Sequence, residues 1–451
     1  MLGGRCAHDR SEAAAKKTKL PRAHGFAPGP RGVACLPRRR DNSLAGALRL
    51  SQTLRHSAES VNGGNELKIC FYTSTALPKR GGQETVVDSL AREFLRLQHR
   101  ITVLAPMPRR PLSVDDSGLP YRVVRHPRFY STRRLVPWYR WFLLRLFREE
   151  GFDLLHCHGV YPPGYLAVLC RERLQIPIVI TSHEGGLSNG NVRLAKPLLR
   201  RHYVAALSGA DALVAVSRMV EDDYRRLCAD ARLIRWIPNG VSVAAWDGLA
   251  QRPACLDSNI EPGEFFLYLG RLTRRKGADW LLHAFARVVV AERKKLVIAG
   301  EGEDGAALMA LTRQLHLQDR VCFVGWADGA TKSYLLQNAL CTVVPSRRPE
   351  AFGLVVLESY AAGRPVVASR VPGLEELVAE RESGLLVPPD SVEALARALQ
   401  ELAANRDRAD AMGRQGRAWV QRYSWRAVAE RHVELYASLV ASHGASAAAR
   451  R

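Results

Sequence analysis

No stretch of this 451-residue chain stays apolar for the roughly 18 positions needed to cross a bilayer, which sets aside a membrane-spanning helix. Nor is there a Cys-x-x-Cys pair. The nine cysteines, at 6, 35, 70, 157, 170, 228, 255, 322 and 341, are scattered singly. An odd, unpatterned set in so long a chain reads as reduced thiols in a cytoplasm, with no disulfide framework or zinc site. Acids are short against bases, 44 to 66, for a net charge of +22; residues 1–60, with 12 Lys/Arg and four acids, supply +8 of it. A basic surface implies an anionic partner, such as nucleic acid, an anionic membrane or a phosphorylated substrate. No recognition module or single-strand aromatic platform is present, so nucleic acid is set aside. The 47 % hydrophobic content is ordinary for a globular chain, and the length favours two or three domains.

Residues 1–65 are rich in Ala, Arg, Gly and Ser and show no sustained hydrophobic period, so they are expected to be a disordered basic extension. A transit peptide and an over-extended start of the reading frame both fit. The late first strand, at Leu67, favours the second. Thereafter short β-branched runs alternate with amphipathic helices, as in a parallel sheet covered on both faces. Strands are expected at Lys68–Thr73, Ile101–Ala105, Asp153–His156, Ile178–Thr181, Ala212–Val216 and Leu233–Ile237. After a Pro- and Gly-bearing stretch, Pro238 to Gly263, the alternation restarts. It gives strands Phe265–Leu269, Leu296–Ala299, Val321–Val324, Cys341–Val344 and Val366–Ala368, with a helix Ala278–Val290. The expected architecture is α/β, two doubly wound Rossmann-like domains facing a cleft, at 66–247 and 248–423. A closing helix over 424–443, N-capped by Ser424, is free to return to the first domain.

In open α/β sheets ligands bind beyond the carboxyl ends of the strands. Past Val344 the chain reads Pro345-Ser-Arg-Arg-Pro-Glu-Ala-Phe-Gly-Leu-Val-Val-Leu-Glu358, with a helix expected to start near Gly353 and stop at Gly363. Its N-terminus offers free N–H groups and a favourable dipole to an anion. Eight residues of helix span ~12 Å, so Glu350 and Glu358 cannot act on one atom. They suit hydroxyls on either side of a diphosphate, although an exposed loop Glu and a helix-surface Glu would show the same spacing. Past Leu269, Gly270-Arg-Leu-Thr-Arg-Arg-Lys-Gly277 opens a helix with Arg271 and Lys276 suited to a diphosphate whose charge grows as a sugar leaves. Arg274 and Arg275 are expected to face solvent. Gly81-Gly82 opens the first helix of the N-terminal half and permits close backbone approach. His183 lies just beyond a strand, and His156 and His158 flank Cys157 at another strand end. Together these three could form a metal site, but no carboxylate ligand accompanies them.

Glu350-x7-Glu358 in its Pro-Glu-Ala-Phe-Gly-Leu context, together with Gly270-Arg-Leu...Lys-Gly277, resembles the retaining glycosyltransferase family 4. The likeness runs in order over roughly residues 66–440. It implies the two-domain GT-B fold and transfer of a sugar from a UDP- or GDP-sugar, with no metal or other cofactor. It also implies site roles: Glu350 and His183 at the reacting sugar, Glu358 on the ribose, Arg271 and Lys276 on the phosphates. Gly82, Phe352, Gly353 and Leu354 would complete the donor site, with His158 on the acceptor side. No Asp-x-Asp, the metal–diphosphate holder of the other main glycosyltransferase fold, occurs. Pro372-Gly373 stands where many relatives carry Gly-Gly.

Residues 125–148 interleave Arg with Trp, Tyr, Phe and Leu. This suits a helix lying on an anionic membrane, or an ordinary amphipathic helix packed on the sheet. The membrane reading would make the acceptor lipid-linked, a cell-envelope or polysaccharide precursor, and place the enzyme on the inner face of a membrane. A nucleotide-sugar epimerase, a metal-dependent hydrolase and a non-catalytic membrane-associated scaffold are the rival readings.

Overall fold

The computed structural model describes residues 66–449, apart from 109–113, 128–131, 185–193, 228–229, 249, 255, 257–259 and 290–293. The extension 1–65 and part of the 125–148 stretch therefore lie outside the described residues.

Two wholly parallel sheets form the frame. The first has β1 (Lys68–Thr73), β2 (Arg100–Pro106), β3 (Arg122–His126), β4 (Leu154–His158), β5 (Ile178–Thr181), β6 (Ala212–Ala215) and β7 (Ile234–Trp236), ordered 3-2-1-4-5-6-7. The second has β8 (Phe265–Leu269), β9 (Lys295–Ala299), β10 (Val321–Gly325), β11 (Cys341–Val344), β12 (Val366–Ser369) and β13 (Gly384–Val387), ordered 10-9-8-11-12-13. Strand alternation sends neighbouring side chains to opposite faces. Ile69 and Phe71 meet Val86, Leu90 and Phe94 of helix Gly82–Arg96 on one side, while Cys70 and Tyr72 meet Leu143 and Phe147 of helix Thr132–Glu150 on the other. In the second sheet Phe265 and Leu267 pack on Tyr334 and Leu335, and Phe266 and Tyr268 on Leu281 and Phe285. Helices on both faces make each sheet doubly wound, so the fold is GT-B.

The sequence pattern does not register β3 or β13. Both are edge strands, and β3 bears arginine at Arg122 and Arg125 with only His126 buried, so a continuous apolar run is absent. The helix from Ala278 ends at Phe285 rather than Val290. The run Val288-Val289 that follows is β-branched and disfavours helix, and Val289 is exposed.

Residues 125–148 are not one helix. Arg125 and His126 belong to β3, and the helix Thr132–Glu150 turns Tyr139, Leu143, Leu146 and Phe147 into the core. It packs on the sheet in the ordinary amphipathic manner, leaving Trp141, Arg145 and Arg148 exposed on the outer side. No helix of the described residues is long and apolar enough to cross a membrane.

The last helix, Trp425–Ala449, lies against the first sheet. Trp425, Val428, Ala429, Leu435 and Tyr436 share a cluster with Ile69 and Phe71. Ser424 Oγ accepts from the Ala427 N–H at 3.3 Å. The chain's return is pinned where Val241 N donates to the Tyr423 carbonyl at 2.8 Å. A Cβ on Gly240 would lie 2.7 Å from the Trp425 ring, so glycine permits that contact.

Candidate active site

Each sheet reverses its winding once, between β1 and β4 and between β8 and β11, and such switch points open a crevice at the carboxyl ends of the strands. In the second sheet the loops that leave β8 and β11 touch through their backbones. Gly277 has φ +70°, and a Cβ there would lie 2.0 Å from the Pro345 carbonyl oxygen. This close seam brings Lys276 to Glu350. The Lys276 ammonium lies 2.9 Å from the carboxylate, and Ser346 Oγ donates to it at 2.7 Å. Arg275 is exposed, as expected, yet its Nη2 comes within 3.5 Å of the same carboxylate, and its carbonyl is held by the Arg347 N–H at 2.9 Å. Arg271 remains exposed, and the described residues give it no ion pair; Tyr268 Oη donates to its carbonyl at 2.9 Å.

Glu350 is only 7 % exposed. Burial would push its carboxyl up, but the cations Lys276 and Arg275 and hydrogen bonds from Lys276 and Ser346 outweigh it and hold the group below the usual carboxylate range. Its backbone is fixed as well. Glu350 N donates to the Pro372 carbonyl at 3.1 Å, and a Cβ on Gly373 (φ +86°) would fall 1.8 Å from Glu350 O. The loop needs glycine at 373 but only a carbonyl at 372, so proline is accommodated there.

Gly353, at φ +107°, caps the helix Leu354–Ala361, whose first N–H groups receive no side-chain cap. A Cβ at 353 would meet Leu374 Cδ2 at 2.6 Å. Phe352 is buried and packs toward the Tyr423 ring at 6.3 Å between centroids, so its side chain serves the core. Glu358, inside the helix, is paired with Lys332 of helix Gly329–Asn338 at 2.6 Å. The two carboxylates therefore have separate cations, from separate βα units.

The first sheet meets this region through Gly82, where a Cβ would lie 3.6 Å from Leu354 Cδ1 of the other half. Arg80, just before the glycine pair, reaches Asp328 across the cleft at 2.6 Å. Arg218 N donates to Glu376 Oε2 at 3.0 Å, a second link between the halves. Beyond β5, half-buried His183 lies stacked on His158, with His158 Nδ1 and His183 Nε2 3.0 Å apart. Burial, and repulsion from the His432 ring when that ring is protonated, lower His183 to about 4, so its imidazole is neutral at pH 7. His158 is 1 % exposed, wedged against Phe71, so it cannot itself line the acceptor side; it reaches the cleft only through His183. Gln83 Nε2 fixes the His158 carbonyl at 2.7 Å. His156 is fully buried, its ring nitrogens engaged by the Tyr436 and Thr181 hydroxyls. No group of three or more His, Cys, Asp or Glu placed to hold a metal occurs among the described residues.

The family model for glycosyl transferases group 1 matches residues 257–419, and that for glycosyltransferase family 4 matches residues 80–245. The chain is 30 % identical over 370 residues to the phosphatidyl-myo-inositol mannosyltransferase of Mycolicibacterium smegmatis, covering 79 % of this chain and 90 % of that one. It belongs to glycosyltransferase family 4. The GDP-mannose-dependent α-(1-6)-phosphatidylinositol monomannoside mannosyltransferase of Mycobacterium tuberculosis is 29 % identical over 368 residues, 78 % of this chain and 93 % of that protein. Among solved structures, the sucrose-phosphate synthase of Thermosynechococcus elongatus superposes with a TM-score of 0.71 at 28 % identity, covering 83 % of this chain and all of that one. This family 4 member is accordingly a glycosyltransferase that uses nucleotide-sugar donors.

Sequence reasoning missed Arg275, Ser346 and Lys332. The first two lie within the quoted motifs and follow once the loops are known to touch. Lys332 sits in a helix with no motif, and only the packing of helix Gly329–Asn338 beside helix Leu354–Ala361 reveals it.

Proposed function

We propose that this enzyme transfers a hexosyl group from a UDP- or GDP-sugar to a hydroxyl of a lipid-linked or glycan acceptor, with retention of anomeric configuration and without a metal. The observation that carries the reading is the convergence of Lys276, Glu350 and the Leu354 helix N-terminus at one switch point, with Gly82 facing them from the other half. In this reading Lys276, Arg271 and that helix end hold the diphosphate. They stabilise the charge that grows on it as the anomeric C–O bond breaks. Glu358 takes the ribose hydroxyls, and ionised Glu350 contacts the donor sugar. His183, neutral, can hydrogen-bond a hydroxyl without adding charge. The acceptor oxygen forms the new glycosidic bond, and its proton leaves with the nucleoside diphosphate.

The names of the phosphatidylinositol mannosyltransferases support a lipid-linked acceptor, and that of the Mycobacterium tuberculosis enzyme supports a GDP-sugar. The exposed Trp141, Arg145 and Arg148 support contact with an anionic membrane surface. Buried free thiols at Cys70, Cys157, Cys170 and Cys341 support a cytoplasmic setting, on the inner face of that membrane.

The test is calorimetric titration of metal-free protein with UDP- and GDP-sugars, repeated on Arg271→Ala with Lys276→Ala. Binding of one donor that vanishes in the double variant supports the site. No binding of either donor by folded protein would overturn the reading. Product formed from donor alone would identify an epimerase instead.

A further inference from the structure

Lys332 is the residue of the site region that no motif announces. Its Nζ lies 2.6 Å from Glu358 Oε1, and the side chains are only 27 % and 12 % exposed. Such a pair differs from a solvated surface bridge, because holding a lysine in a half-closed site costs side-chain entropy and hydration. The helix that carries it is tied at its start to the other half of the molecule. Lys332 N donates to the Asp328 carbonyl at 3.3 Å, and the Asp328 carboxylate meets Arg80 across the cleft at 2.6 Å. One helical turn thus joins the loop of Gly81-Gly82 to the carboxylate of Glu358.

The chemistry of the pair suggests a purpose. An ionised carboxylate only accepts hydrogen bonds, and an ammonium only donates them. A vicinal diol does both: its two O–H groups suit the carboxylate, and its oxygen lone pairs then want a donor. The carboxylate has room for this, since one ammonium leaves most of its lone-pair positions unused. Charge points the same way. A diphosphate entering between two bare carboxylates would be repelled, but Glu350 is matched by Lys276 and Arg275, and Glu358 by Lys332.

We propose that Lys332 is a donor-binding residue: with Glu358 it forms a carboxylate–ammonium clamp that grips the 2′,3′-diol of the nucleotide's ribose from both sides. This rests on the transferase reading above, in which Glu358 takes the ribose. It makes the site selective for ribonucleotides over their 2′-deoxy forms, through a residue outside the family 4 motifs.

The test titrates the full chain, without metal, with whichever of UDP or GDP it binds and with the matching 2′-deoxy nucleotide. The intact chain is expected to favour the ribonucleotide about tenfold or more, the scale of a hydrogen bond to a charged group. Lys332→Ala should lose about tenfold in affinity for the ribonucleotide while binding the deoxy form nearly as before, so that the preference shrinks. Lys332→Arg should restore part of it, and unfolding midpoints confirm that each variant is folded. An unchanged preference in Lys332→Ala overturns the clamp, and so does equal loss of both nucleotides, which would leave Lys332 a charge-balancing role only. If the intact chain binds neither UDP nor GDP, the transferase reading itself falls, and the clamp with it.

Discussion

Lys276 and Glu350 stand 2.9 Å apart although 74 residues separate them, because the loops after β8 and β11 press together where Gly277 meets the Pro345 carbonyl. The phosphate-binding cation and the sugar-facing carboxylate of the proposed mechanism are therefore one electrostatic unit. Before a donor arrives, the cation keeps a nearly buried carboxylate ionised. With a diphosphate bound, the same ammonium has a second anion to serve. Ser346 and Arg275 then continue to hold Glu350.

Removing that cation should expose the cost of burial. Glu350 now titrates below the usual carboxylate range, so its ionised form, and the stability it lends, persists above that range and is lost only as pH falls through the depressed value. In Lys276→Met the burial effect is opposed only by Arg275 and Ser346, and the carboxyl should titrate at higher pH. The expected result is a fall in kcat/KM of about 10²–10³-fold at pH 7, the scale of losing one transition-state donor, with the acid limb of the pH–rate profile moved upward. An acid limb in the same place would show that Lys276 does not set the Glu350 charge. Glu350→Gln should abolish that limb altogether.

Gly373→Ala tests how the Glu350 loop is held. At φ +86°, with a Cβ destined to lie 1.8 Å from Glu350 O, alanine must push the two backbones apart. We expect a loss of about 1–3 kcal/mol in chemical denaturation and a larger fractional loss of kcat than a stability change alone would produce. Gly118→Ala, with open space around its Cβ, is the neutral control. A Gly373→Ala protein with unchanged kcat would mean that the loop does not position Glu350.

These two cases show what the sequence could and could not reveal. The strands that are buried on both faces, such as Phe265–Leu269 and Cys341–Val344, were legible because a parallel sheet leaves an unbroken apolar run. Edge strand β3 was not, because one side of it meets no partner strand and tolerates arginine. Within the site, glycines at fixed offsets marked the two loops: the Pro345 backbone at Gly277, and the positive φ with the Leu374 side chain at Gly353, exclude other residues. The pairings were not legible. Nothing in the spacing of Arg274, Arg275 and Lys276 says which of three adjacent cations turns inward, and Lys332 owes its place to packing between helices.

The proposed membrane contact is testable on the outer side of helix Thr132–Glu150. Trp141 is 54 % exposed, and Arg145 sits over its ring at 5.6 Å while also pairing with Glu149. If this face docks on an anionic bilayer, co-sedimentation with vesicles containing phosphatidylserine should exceed that with neutral phosphatidylcholine vesicles and fall as salt is raised. Trp141→Ala with Arg148→Ala should weaken it about tenfold or more, taking roughly 1 kcal/mol for the arginine and the rest from the indole. Equal sedimentation with both vesicle types would remove this face from the proposal.

The buried histidines give the molecule a predictable acid weakness. His156, His158, His183 and His432 lie in one connected group, with ring centroids 4.2 Å apart for His156 and His158 and 5.7 Å for His156 and His432. Burial lowers all four; His183 and His432 fall from 6.5 to about 4. A histidine whose folded value lies below its unfolded one takes up its proton more readily after unfolding, so the unfolded chain binds more protons in the interval between the two values. Stability should be whole above about pH 6.5 and fall as pH drops from there toward 4. For His432 alone the loss at the acid end is on the order of 3 kcal/mol. Unfolding midpoints measured from pH 8 to pH 4 should therefore be flat at first and then decline with a slope steeper than one proton. His432→Gln should lower stability at pH 8 but flatten the decline. A midpoint that holds level down to pH 4.5 would mean that the histidine group is reached by water and protonates without opening the fold.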